Sequence, residues 1–169
     1  MATSACFPLT GSRACGLFGD LKVQPYRNVF TNVQELDLYI EDSLPKSALY
    51  RTYFQSNFTC PRWDGTGLRY PVSFLCGLIV DISTTQFNCN PGVNVVNICR
   101  STGAAAINSY QNIFNNQAYC TPGANRPLPE RYLTFAGKIT ADDPASGSCK
   151  LGTDEEIRMC GEFQLDLTF

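Results

Sequence analysis

The sequence of 169 residues contains no histidine. Without an imidazole, the chain cannot assemble a Ser-His-Asp or a Cys-His nucleophilic site, and it cannot build a mixed cysteine and histidine metal site. No two cysteines have the C-x-x-C spacing of a zinc knuckle or a redox dithiol. We therefore expect neither a metal ion nor another cofactor.

Clusters of positive charge and long apolar runs are also missing. The formal charge is −2 at pH 7, and Lys and Arg are scattered singly along the chain. This charge pattern disfavours nucleic acid and anionic membranes as partners. No stretch approaches the roughly 18 consecutive apolar residues of a membrane span. The most apolar run, FLCGLIV from Phe74, has the length of a core helix.

Nine cysteines are the most informative feature of the composition. They are too many for an ordinary cytosolic protein, so we expect disulfides and an oxidising, extracellular location, either secreted or at the cell surface. The start, MATSACFPL, has neither the basic nor the apolar region of a signal peptide. We therefore expect that residues 1–5 include a start added for expression and that a native signal peptide was removed. The glycosylation acceptor Asn57-Phe58-Thr59 agrees with secretion.

Apolar periodicity predicts a mostly helical chain. A first helix starts at Thr31, with Gln34 completing a capping box. Pro45 suits the first turn of a second helix capped by Ser43. Further helices are predicted from Pro71, from Cys99 and over residues 129–135, and short strands over residues 21–23 and in the final EFQLDLTF.

The second helix carries more aromatic residues than one buried stripe needs. Its predicted apolar stripe consists of Leu49, Tyr53 and Phe54, and Tyr50 and Phe58 lie close by in sequence. Core packing explains such residues in most helices. The alternative is an aromatic surface that faces solvent or a ligand.

Paired carboxylates are the remaining route to catalysis. The pairs are Glu41-Asp42, Asp142-Asp143 and Glu155-Glu156. They could supply an acid and a base to a small hydrolase, but adjacent residues usually point apart, and solvated charge is the simpler explanation. We expect the protein not to be an enzyme and keep the hydrolase as an alternative.

Two segments carry a resemblance to a known family. SFLCGLIVDIS around Cys76 and NICRSTGAAAINSY resemble the F-L-C and P-C-R-S-x-C-E-x-A signatures of the Frizzled cysteine-rich domain, with Ile98 at the proline position. The whole chain is similar to fungal extracellular proteins with a Frizzled-like domain, through CFPLTGSRAC, CTPGAN and SGSCKLGTDEEIRMCG. The resemblance implies that residues 1–169 form a single, mostly α, disulfide-braced Frizzled-like domain with minor short β strands.

The resemblance also implies a disulfide pairing. The implied bridges are Cys6–Cys89, Cys15–Cys76, Cys60–Cys120 and Cys99–Cys149. Gly103 occupies the place of a further family cysteine, whose partner near Phe135 and Ala136 is absent too, so Cys160 is left as a free thiol.

The family's lipid-binding groove implies a function as a binding domain. Its lining positions correspond to Thr52, Phe54 and Leu78, and its ligand would be a fatty acyl chain or a sterol, free or on a lipidated partner. The P-N motif of the animal receptors is absent, so the Wnt ligand does not carry over. The alternative is a protein–protein module, either a sensor ectodomain or a secreted fungal effector.

Overall fold

The computed structural model describes residues 5–26, 28–45, 47–93, 98–124, 126–139 and 149–152. Within these ranges the chain forms five α-helices and one pair of short antiparallel strands. The helices are α1 (Val33–Asp42), α2 (Ala48–Asn57), α3 (Pro71–Phe87), α4 (Arg100–Asn115) and α5 (Glu130–Lys138), and the strands are β1 (Phe7–Pro8) and β2 (Lys22–Val23). The prediction of a mostly α, disulfide-braced fold is confirmed. No helix in the described ranges is long and apolar enough to cross a membrane.

Helix α3 is the centre of the fold. Pro71 fixes its first turn, and Asn88, in the left-handed conformation with φ of 53°, ends it. Phe74 and Leu78 are among the many residues of α3 that are buried, because α3 contacts α1, α4, α5 and β2. A helix surrounded in this way needs apolar residues on more than one face.

The starts of the first two helices differ from the predicted ones. Asn32 caps α1 by accepting a hydrogen bond from the backbone N–H of Glu35 at 3.0 Å. The Glu35 carboxylate accepts from the Thr31 hydroxyl at 2.8 Å and from the Thr31 N–H at 2.7 Å, and both bonds lower its pKa. The predicted pair of Thr31 with Gln34 was therefore wrong. In α2 the cap is Ser47, not Ser43. Two short polar residues lie within four positions of each other at both starts, and the local backbone decides which one accepts the bond.

A buried carboxylate organises the turn before the second cysteine. Asp37, on α1, is 4% exposed. It accepts hydrogen bonds from the Ser12 hydroxyl at 2.6 Å, the Arg13 N–H at 2.9 Å and the Ala14 N–H at 3.2 Å. The Ser12 hydroxyl in turn accepts from the N–H of Cys15 at 2.8 Å. One side chain thus holds a whole turn against the helix.

The buried apolar residues form two separate cores. The first core joins the N-terminal segment, α1, α3 and α5 through residues such as Phe18, Leu36 and Phe74. The second core joins α2, the α2–α3 loop and the C-terminal half of α4 around Trp63, whose ring lies 3.9 Å from that of Phe54 between centroids. Ile107 and Tyr132 are half-buried and pack against both cores.

Four disulfides lie in the described part of the chain, and they join the same cysteines that the family pairing implies. They are Cys6–Cys89, Cys15–Cys76, Cys60–Cys120 and Cys99–Cys149. Such a set is typical of proteins in an oxidising compartment such as the extracellular space.

Apolar packing joins α4 to the residue that follows α5 at Gly103. A Cβ atom built on Gly103 would lie 2.6 Å from Cδ1 and 3.7 Å from Cβ of Ile139. Ile139 directly follows α5 and is buried, so the residue that faces Gly103 lies beyond the expected Phe135 and Ala136. Phe135 instead approaches Gly77 on α3. The close contact between α4 and the end of α5 depends on position 103 having no side chain.

Several predictions lie outside the described residues. They concern the free thiol of Cys160, the strand in EFQLDLTF, and the carboxylate pairs at residues 142–143 and 155–156.

Candidate functional site

A groove of about 490 Å³ opens between the two cores. We call it the inter-core groove. One wall is α3, which presents Leu75, Leu78, Ile79 and other apolar side chains. The opposite wall is α2, which presents Leu49, Tyr50 and Tyr53. This volume is in the range of small-molecule sites, and such sites are mostly apolar with a few placed polar groups.

The rim of the groove exposes apolar surface. Leu49 is 70% and Tyr53 48% exposed, although the sequence placed both on a buried stripe. That prediction was wrong because α2 packs through Phe54 and Phe58 into the second core, which leaves Leu49 and Tyr53 to line the groove. Of the aromatic residues on α2, Phe54 therefore packs in the second core, whereas Tyr50 and Tyr53 line the groove.

Of the three residues predicted to line a groove, Leu78 does so. Thr52 is exposed, and its hydroxyl donates to the Ala48 carbonyl at 2.9 Å. Phe54 is fully buried against Trp63. Thr52 and Phe54 do not line the inter-core groove, and their neighbours Leu49, Tyr50 and Tyr53 take the wall positions.

A pair of phenol hydroxyls lies at the floor of the groove. The hydroxyls of Tyr50 on α2 and Tyr110 on α4 are 3.1 Å apart, and both residues line the groove. Tyr132 lines it as well, with its ring edge-on to that of Tyr110 at 6.1 Å between centroids. Periodicity did not single out this tyrosine set, because its members come from three helices.

Burial perturbs the tyrosines of this set. It raises the pKa of Tyr110 well above the usual value of 10.0, and the neighbouring Tyr50 and Tyr132 raise it further. Burial also raises the pKa of Tyr50 and of Tyr132. The hydrogen bond to Tyr110 opposes the shift at Tyr50, and Arg131 together with a hydrogen bond to Tyr110 opposes it at Tyr132. Burial therefore keeps these three phenols neutral.

These shifts predict how stability depends on pH. An unfolded tyrosine ionises near pH 10, whereas the buried ones keep their protons to higher pH, so above about pH 10 the unfolded chain binds fewer protons and stability falls. We expect the fall to be less steep in Tyr50→Phe/Tyr110→Phe, by up to about 1.4 kcal/mol per pH unit for each tyrosine removed. Urea unfolding below and above pH 10, with free thiols blocked, measures the free energy of unfolding of both proteins. Tyr119→Phe is the control, because the Tyr119 hydroxyl bonds Thr66 outside the groove. Parallel pH profiles for the native chain and the double variant would contradict the prediction.

The charged groups at the groove rim have opposite signs. Asp42 at the end of α1 and Arg131 on α5 both line the groove and are both exposed. Asp42 lines the groove, whereas Glu41, the other member of this carboxylate pair, does not line it and binds Arg13 at 2.7 Å. The described residues contain no group of three or more side chains that could hold a metal ion.

The glycosylation acceptor is accessible. Asn57 is the last residue of α2, is exposed, and donates its side-chain N–H to the Tyr53 carbonyl at 2.8 Å. A glycan on Asn57 would project from the helix end next to the groove residues Tyr53 and Phe58.

Comparison with known proteins does not extend this description: no protein-family model, curated protein or solved structure matches the chain.

Proposed function

We propose that the chain is an extracellular, Frizzled-like binding domain that holds the apolar chain of a lipid, free or attached to a partner, in the inter-core groove. The observation that carries the proposal is the groove itself, an opening of about 490 Å³ between two cores with mainly apolar walls. The order and pairing of the cysteines support the family assignment.

The energetics of an apolar ligand suit this groove. Each methylene removed from water contributes about 0.8 kcal/mol, and it requires no charged partner in the protein. Binding would also cover Leu49 and Tyr53, which are exposed in the free protein. A ligand that binds only the folded state stabilises it by an amount that grows with the logarithm of the ligand concentration above Kd.

Filling the groove tests the proposal. Leu75 is half-buried in the α3 wall, so Leu75→Trp places a bulky ring inside the groove. We expect this variant to lose at least about tenfold in affinity for a long-chain lipid. Native mass spectrometry of protein purified from its secreting host would detect a bound lipid, and calorimetry with the delipidated protein would give the affinity.

The control uses the same substitution outside the groove. Leu133 on α5 is 51% exposed and does not line the groove, so Leu133→Trp should leave lipid affinity unchanged. Equal affinity in the native chain and Leu75→Trp would refute the groove as the binding site. Absence of binding to any lipid would favour the protein–protein alternative.

A further inference from the structure

The glycosylation acceptor lies on the same stripe of α2 as the exposed apolar rim of the groove. Leu49, Tyr53 and Asn57 are spaced four residues apart, so they follow one another along one face of the helix. Leu49 is 70% and Tyr53 48% exposed, and Asn57 is exposed as well. A group attached to Asn57 therefore starts in line with two exposed apolar side chains.

The amide of Asn57 is held over the turn that contains Tyr53. Its nitrogen, Nδ2, donates to the Tyr53 carbonyl at 2.8 Å, one helical turn closer to the start of α2. Helical side chains cover the surface over the preceding turn, because Cα–Cβ bonds tilt toward the helix N-terminus. An N-glycan is attached to this same nitrogen, which keeps one hydrogen after attachment, so the hydrogen bond to Tyr53 persists. The first sugar is thus directed back along α2.

Attachment requires an accessible acceptor motif and an activated sugar donor. In the secretory pathway of eukaryotic cells, the donor is an oligosaccharide linked through pyrophosphate to a polyisoprenoid lipid. Nδ2 of Asn57 bonds to the anomeric carbon of the first N-acetylglucosamine and loses one proton. The bond from that carbon to the pyrophosphate oxygen breaks, and the lipid pyrophosphate leaves with the electron pair. Asn57-Phe58-Thr59 has no proline at its middle position, and Asn57 and Thr59 are both exposed.

Tyr53 provides a surface for the first sugar. Its ring packs edge-on against Phe58, with centroids 6.4 Å apart and an interplanar angle of 90°, which keeps it near the end of α2. The face of an aromatic ring carries a partial negative charge, which attracts the C–H groups of a sugar ring. Leu49 lies one further helical turn from Asn57, so only later sugars of the glycan extend that far.

We propose that an N-glycan on Asn57 follows α2 back toward its start, places its first sugar on Tyr53 and its later sugars over Leu49, and so extends the α2 wall of the inter-core groove outward. The exposed apolar stripe is then covered by the protein's own carbohydrate and is not a docking surface for another protein. The inference depends on secretion and on the geometry of α2, and it holds whatever the groove binds.

Hydroxyl-radical labelling of the glycoprotein, read by mass spectrometry, tests this arrangement. The chain is secreted from eukaryotic cells and delipidated, so that no groove ligand contributes to protection. We expect Tyr53 and Leu49 to be labelled less than half as strongly as in Thr59→Ala, which removes the acceptor motif. Tyr26, which is 65% exposed and packs against the first core, is the internal control and should be labelled equally in both proteins.

Trimming the glycan separates the first sugar from the later ones. An endoglycosidase that cleaves after the first N-acetylglucosamine leaves a single sugar on Asn57. We expect Tyr53 to remain protected, whereas Leu49 should regain the labelling seen in Thr59→Ala. Thr59→Ser restores the acceptor motif and should restore both the glycan and the protection, which separates the loss of the glycan from the loss of the threonine side chain.

Three results would overturn the inference. The first is the absence of a glycan on Asn57 in peptide maps of the secreted native chain. The second is equal labelling of Tyr53 in the glycoprotein and in Thr59→Ala. The third is protection of Leu49 that survives trimming to one sugar. None of them bears on lipid binding in the groove, which is measured separately with the delipidated protein.

Discussion

A further disulfide should form between α4 and the end of α5 when Gly103 and Ile139 are both replaced by cysteine. The Cβ atoms at these positions would be 3.7 Å apart, and bridged cysteines have Cβ atoms about 3.5–4.5 Å apart. The Cδ1 atom that crowds position 103 is removed together with Ile139. Relative to Gly103→Ser/Ile139→Ser, we expect the bridge to stabilise the fold by about 3–4 kcal/mol, which corresponds to a rise in Tm on the order of 10 °C.

The matched control for this experiment is Gly103→Ser/Ile139→Ser. It loses the same buried isoleucine without gaining a bridge, which matters because that loss alone costs about 2–5 kcal/mol. Peptide mapping without reduction would identify a link between positions 103 and 139 and distinguish it from a link to Cys160. Alkylation of both introduced thiols in the folded protein would show that no bridge forms, and it would contradict the Cβ separation of 3.7 Å at this contact.

Replacing Asp37 by alanine should destabilise the fold by about 3–5 kcal/mol. The change leaves the N–H groups of Arg13 and Ala14 without their acceptor, together with the hydroxyl of Ser12. Each buried donor without a partner costs about 1–3 kcal/mol. Urea unfolding of the native chain and of Asp37→Ala measures the difference.

The control lies one helical turn away on α1. Glu41 also binds this loop, through the Arg13 guanidinium at 2.7 Å, but the Arg13 side chain is 71% exposed. An exposed ion pair contributes between zero and about 1 kcal/mol, so Glu41→Ala should be nearly neutral. Similar losses of stability in Asp37→Ala and Glu41→Ala would show that the buried Asp37 carboxylate has no special importance for the turn.

The helices of this protein could be predicted from the sequence because their signals are local. Pro71 and the apolar residues after it identify α3, and the stripe after Cys99 identifies α4. The exact caps of α1 and α2 could not be predicted, since Thr31 and Asn32 are both suitable acceptors and only the backbone distinguishes them. Periodicity finds a helix more reliably than it finds its first residue.

The site was predicted less well than the fold, for a physical reason. Periodicity shows that a helix is amphipathic, but it does not show whether an apolar residue meets a core or a groove. Leu49 and Phe54 have the same hydrophobic signal in the sequence, yet one is exposed and the other fully buried. The contact between Tyr50 and Tyr110 spans 60 residues, so no local pattern reveals it.

The division into two cores has a consequence for the motion of the molecule. Cys15–Cys76 lies within the first core and Cys60–Cys120 within the second, and no disulfide in the described ranges links a residue of one core to a residue of the other. Each of these two disulfides therefore stiffens only its own core. The two cores are joined through α4, which contributes Ala106 to the first and Tyr110 to the second, and through the side-chain contacts of Ile107 and Tyr132. A change in the width of the inter-core groove would therefore strain none of the disulfides in the described ranges.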